Sequence, residues 1–252
     1  EMAWVYHGPN GQGCGFYKHG MSIFAPDAKR EEFRPKLVSV FSRNASQSQQ
    51  FSILGKLEIE SRAYAQYGAP QEIWVNVTIP SLENMVTVDV LVYNKTRTRL
   101  PEAMHWSFYP KVSSLETSAN ENTLEWTIDK LGERISPYET VVNGNQRQHA
   151  TWEGVFFGPK SQRGARKEGE APKLQVRSLD AAVASPADKY TQPTPFLKDM
   201  NPLSEELTGF GYNLWNNIWD TNYALYYPYE LTGDENLRFR FQACFGVFCP
   251  TE

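Results

Sequence analysis

Apolar and polar residues alternate along much of this chain. Residues 86–92 read Val-Thr-Val-Asp-Val-Leu-Val, so Val86, Val88, Val90 and Val92 share one face of an extended segment. Residues 72–78 place Ile73, Val75 and Val77 in the same way. A period of two is the signature of a half-buried strand. The link between these segments, Ile79 to Met85, carries Pro80 and Asn84, and predicts an antiparallel pair. Further strands are predicted at 37–41, 51–60, 104–109, 123–128, 151–157, 173–179 and 237–248. In the last, Leu237, Phe239 and Phe241 alternate with Arg238, Arg240 and Gln242. Trp126, Trp152, Phe239 and Phe241 fall on alternating strand positions and are expected in the core. Helical signal is confined to 27–34 and 202–208, the second opened by Pro202.

Many short strands separated by Pro and Gly turns predict an all-β fold, a large antiparallel β-sandwich with few short helices. A single domain over residues 1–252 is expected. Two segments interrupt the alternation. Residues 158–172, rich in Gly, Lys and Arg, read as an exposed loop. Residues 184–202, with Pro186, Pro193, Pro195 and Pro202, read as an extended surface segment.

Composition narrows the function. The net charge of −4 and the dispersed Lys and Arg exclude an electrostatic nucleic-acid surface. No apolar run of about 18 residues occurs, so no membrane span is expected. The chain begins at Glu1 with no basic and apolar leader, which is expected of a processed or truncated product. Three cysteines, Cys14, Cys244 and Cys249, are too few for a disulfide scaffold. Cys244 and Cys249 could meet if Gly246 turns the chain; alternatively Cys14 bridges one of them, or the thiols are free. Three Asn-x-Ser/Thr sequons, at Asn44, Asn76 and Asn94, favour a secreted or extracellular glycoprotein.

Catalytic motifs are absent. The four histidines, His7, His19, His105 and His149, are isolated from one another in sequence, and no nucleophile elbow, phosphate loop or metal-ligand spacing occurs. Neither a catalytic residue nor a metal site is therefore expected in this chain. Two stretches are more specialised. The first runs from Lys95 to Pro110, with Arg99 and Glu102 placed to pair across a turn and His105 close behind. Such a pair either orients a polar ligand or pins the turn. The second, 212–229, holds seven aromatics and four Asn, among them Trp215, Asn216, Trp219 and Asn222, together with Asp220. Aromatic faces stack on sugar C–H surfaces while Asn and Asp bind hydroxyls, which suits carbohydrate. A buried strand with Asn-capped turns gives the same composition.

These stretches also carry a family resemblance. Tyr67-Gly-Ala-Pro70, Lys95 to Ala103, Trp126 to Gly132, Pro137 to Gly144, His149-Ala150, Ser178 to Ala181, Asn216 to Asn222 and Arg238 to Arg240 resemble, in order, the C-terminal region of the family termed domain of unknown function 5054. That family is related to the glycoside hydrolase family 38 α-mannosidases. The resemblance implies galactose-mutarotase-like (supersandwich) β architecture behind an N-terminal catalytic domain. It places the zinc ligands and the nucleophile in that other domain, so any zinc would lie outside this chain and no cofactor is expected within it. Alone, the chain is not expected to perform two-carboxylate glycoside hydrolysis.

The expected function is thus the non-catalytic C-terminal portion of a secreted, glycoside-hydrolase-like protein, with carbohydrate and an N-terminal catalytic fragment as partners. Arg99, Glu102, His105, Trp215, Asn216, Trp219, Asp220 and Asn222 would line a carbohydrate cleft or an interface. The alternative is a stand-alone structural or sugar-binding module that assembles with itself or with other chains.

Overall fold

The computed structural model describes residues 2–6, 31–45, 50–96, 102–110, 124–139, 146–159, 172–188, 207–216 and 234–250. Their strands are β1 (Met2–Tyr6), β2 (Glu31–Phe33), β3 (Lys36–Ala45), β4 (Gln50–Glu58), β5 (Glu72–Pro80), β6 (Met85–Thr96), β7 (Glu102–Phe108), β8 (Leu124–Lys130) and β9 (Glu133–Ile135). They continue with β10 (His149–Ala150), β11 (Val155–Pro159), β12 (Leu174–Ser178), β13 (Val183–Asp188), β14 (Leu207–Asn216) and β15 (Asp234–Phe245). One helix, α1 (Ser61–Tyr67), and one 3-10 turn, Pro137–Glu139, accompany them.

Among the described residues every strand pairing is antiparallel. A nine-stranded sheet runs β3-β4-β5-β6-β15-β12-β11-β8-β9, and a six-stranded sheet runs β10-β13-β14-β7-β1-β2. The alternation read from 72–78 and 86–92 is realised in register: Val75 lies opposite Val90, which lies opposite Phe239. These three are buried, on the face that meets the other sheet. Aromatic rings close the gap between the sheets. Phe108 meets Phe241 at 5.5 Å, Trp126 meets Phe210 at 5.3 Å, and Tyr212 meets Phe241 at 5.5 Å between centroids. The Tyr212 hydroxyl donates to the Val176 carbonyl at 2.7 Å, tying β14 to β12. An all-β antiparallel sandwich is the result.

The structure corrects several local expectations. Residues 31–33 of the supposed helical segment 27–34 are strand β2, and 27–30 lie outside the described residues. Residues 207 and 208 of segment 202–208 open β14; the rest lie outside. Helix α1 escaped the pattern because Glu60 supplies no side-chain cap and only Ala63 is buried on it; Gly68, left-handed at φ 67°, ends it. Residues 184–188 of the segment 184–202, expected to run over the surface, belong to β13, with Ala184, Ser185, Pro186 and Ala187 buried. Of loop 158–172, Gly158 and Pro159 finish β11, and residues 160–171 lie outside the described residues. Trp152, expected in the core, is 78% exposed. It sits in a turn held by Thr151 Oγ1, which donates to the Gly154 carbonyl, and by Asp129, whose Oδ2 accepts from the Glu153 N–H.

Candidate functional site

Two irregularities build the site. Along β6 the even-numbered residues Val88, Val90 and Val92 face the core, so Lys95 should face outward. Between Val92, opposite Leu237, and Lys95, opposite Glu235, β6 spends one residue more than β15. Asn94 absorbs the excess in a left-handed conformation at φ 56°, which Asn tolerates better than most residues, and its N–H is bonded by the Asn236 side chain at 3.2 Å. The bulge turns Lys95 inward. A second register shift, between Asn213 and Trp215 in β14, brings Trp215 opposite Met104 of β7, on the core face.

The three side chains converge there. Lys95 Nζ donates to Glu102 Oε1 at 2.6 Å and to the Thr96 carbonyl at 2.7 Å, and lies 5.0 Å from the Trp215 ring centroid. Lys95 and Glu102 are both fully buried. Burial pulls the Lys95 ammonium below the usual lysine range, and the Glu102 carboxylate partly restores it. The ion pair spans the two sheets, and the indole covers the ammonium. The indole N–H groups of Trp215 and Trp106 are buried with no hydrogen-bond partner among the described residues.

The sequence expected Glu102 to pair with Arg99. Arg99 lies outside the described residues, and the ion pair seen at Glu102 is with Lys95. His105 is not part of this cluster. Three positions along β7 from Glu102, it falls on the opposite face of the strand, opposite Asn213 in register, and is buried at 2% exposure. Asn216 ends β14 opposite Ala103, but its side chain lies outside the described residues. Trp219, Asp220 and Asn222 also lie outside. The two specialised stretches therefore meet along the β7–β14 pairing, and Lys95 is the member that sequence reasoning left out. The break in alternation after Val92 was the available signal.

Elsewhere, Cys244 and Cys249 form a disulfide with Cα atoms 5.5 Å apart. Gly246, at φ 68°, makes the turn that lets them meet. The tail beyond it lies across β12, where the Cys249 N–H donates to Gln175 Oε1 and Arg177 donates to the Pro250 carbonyl. Of the sequon residues, Asn76 is half-buried on β5 and Asn94 is exposed; the side chain of Asn44, on β3, lies outside the described residues. Among the described residues no three His, Cys, Asp or Glu side chains group as a metal site, and no helix is long and apolar enough to cross a membrane. No family model and no curated protein matches the chain.

Proposed function

We propose that this chain is the non-catalytic C-terminal β-sandwich portion of a secreted, glycoside-hydrolase-like protein, with the β7–β14 seam bordering a carbohydrate cleft. One observation carries the reading: the two stretches that resemble the domain of unknown function 5054 family meet in space, where Trp215 is held over a buried ion pair with its indole N–H uncommitted among the described residues. The pair is a brace rather than a catalytic dyad. Its carboxylate is ion-paired through Oε1 to a fixed ammonium and sealed from solvent, whereas a general acid or nucleophile must reach substrate. The brace holds the ends of β6 and β7 and the indole in a fixed relation, and the segments that follow them would contact sugar and the catalytic domain.

Native mass spectrometry of material isolated without denaturation tests this. The expected species is the chain joined, covalently or tightly, to an N-terminal portion that hydrolyses glycosides. This chain alone, with no associated N-terminal portion, would contradict it.

A second reading, a module that assembles with itself or with other chains, is favoured by β3. It is the terminal strand of the nine-stranded sheet, and Leu37, Val38, Val40 and Phe41 on it are exposed. Concentration-dependent association of the isolated chain, weakened by Val40→Lys, is its expected mark.

A further inference from the structure

The outer face of the nine-stranded sheet carries an arrangement that the seam does not use. Residues two apart on a strand share a face, so Trp74, Asn76 and Thr78 of β5 stand in a row on that outer face, opposite to core-facing Ile73 and Val75. Register continues the row sideways: Asn76 lies opposite Leu54, which lies opposite Phe41. The Phe41 and Trp74 rings are near-parallel, 25° apart with centroids at 6.2 Å, and Phe41 is 54% exposed. The Trp74 N–H donates to Glu72 Oε1, and Lys56 Nζ lies 5.9 Å from the ring, so the indole is fixed in place.

The charged groups around this row are tied to one another. Arg238 grips Asp89, Arg240 grips Asp180, and Ser52 is bonded to Thr78. The Asn76 carboxamide, half-buried on this face, has no hydrogen bond to any described residue. It is also the first residue of Asn76-Val-Thr78.

We propose that Asn76 is an N-glycosylation site and that its first N-acetylglucosamine lies against the Trp74 and Phe41 rings. The site goes beyond the cleft reading and shares with it only passage through a secretory route. The Cys244–Cys249 disulfide belongs to the same oxidising setting. In the transfer, Asn76 Nδ2 bonds to the anomeric carbon of a lipid-pyrophosphate-linked oligosaccharide. The bond from that carbon to the phosphate oxygen breaks, the pyrophosphate leaves with the electron pair, and Nδ2 gives up one proton. The attached sugar then covers apolar ring surface that the sheet otherwise leaves to water, by the C–H to ring contact that aromatic faces favour.

Asn94 lacks this design. It is itself the bulge residue, in a left-handed conformation, and no aromatic platform is built beside it among the described residues.

The test is to secrete the full chain from a eukaryotic host and release its glycans with a peptide amidase in heavy-oxygen water. Isotope-labelled Asp is expected at position 76. Asn76→Gln and Thr78→Ala should abolish the label, and Thr78→Ser should keep it. The stacking is read separately, by comparing protein trimmed to the first sugar with the unglycosylated Asn76→Gln protein. The trimmed form should melt about 2–4 °C higher, the shift one aromatic contact produces in a chain of this length. That gain should vanish in Trp74→Ala. An unlabelled position 76 in folded, secreted protein would overturn the site. An equal gain in Trp74→Ala would overturn the platform.

Discussion

Lys95 and Glu102 illustrate how a buried charge is made tolerable by one partner and intolerable without it. Both are fully buried, and their contact is 2.6 Å. Glu102→Ala leaves an unpaired ammonium between the sheets and should lower unfolding free energy by about 3–5 kcal/mol. Replacing both residues, as Lys95→Met with Glu102→Leu, should cost far less than that; urea denaturation of the single and double variants measures the difference. His149 provides a pH dependence. Burial, reinforced by Lys130, lowers its pKa to about 4, although its bond to the Gln146 carbonyl at 2.8 Å opposes the shift. The unfolded imidazole titrates near 6.5. Between these values the unfolded chain binds a proton that the native chain refuses, so stability falls as pH drops from 6.5 towards 4. The loss is about 3 kcal/mol. Urea midpoints at pH 7 and pH 4.5 should differ by less in His149→Asn than in the wild type.

At the scale of elements, the bulges and tight turns decide what the alternation alone does not. The uninterrupted runs 72–78 and 86–92 were legible because each presents one apolar face to the other sheet along its length. The second half of β6 was not, because the extra residue at Asn94 inverts which positions face inward. β14 was only partly legible, its residues 212–216 falling in a stretch for which a buried strand was one of two readings: Gly209 and Gly211 carry no side chain to mark the period, and a register shift follows at Trp215. β13 was obscured by Pro186, which points to a loop unless its neighbours are known to be buried. Gly154 shows how exacting a turn can be. At φ 91°, with the Val176 carbonyl where a Cβ would stand, Gly154→Ala should destabilise by about 2 kcal/mol or more, read as a lowered thermal midpoint. The Cys244–Cys249 bond closes a short loop and holds the tail across β12. Cys249→Ser should therefore cost about 2 kcal/mol, with little change in strand content by circular dichroism.

At the scale of the whole molecule, two sheets enclose one aromatic core, and the residues that stand out chemically concentrate where β6, β7 and β14 come together. The convergence of the 95–110 and 212–216 stretches was foreshadowed by their shared polar and aromatic character, but its form was not. Strand alternation sends His105 to the other face of the six-stranded sheet, and the ion pair is made by Lys95. The surplus of aromatic residues now divides three ways. Phe108, Trp126, Phe210, Tyr212 and Phe241 fill the interior, Trp215 caps the ion pair, and Phe41 and Trp74 lie on the outer face.

The role of Trp215 at a carbohydrate cleft is tested most directly by binding of the protein to a panel of oligosaccharides, reading Trp215→Ala and Trp215→Phe against Trp152→Ala. Trp152 is an exposed tryptophan in the turn that precedes β11 and serves as the comparison. The expected result is saturable binding that Trp152→Ala and Trp215→Phe retain and that Trp215→Ala weakens about tenfold or more, the loss of one stacking contact. Binding to none of the panel, or binding unchanged in Trp215→Ala, would contradict a carbohydrate-bordering seam.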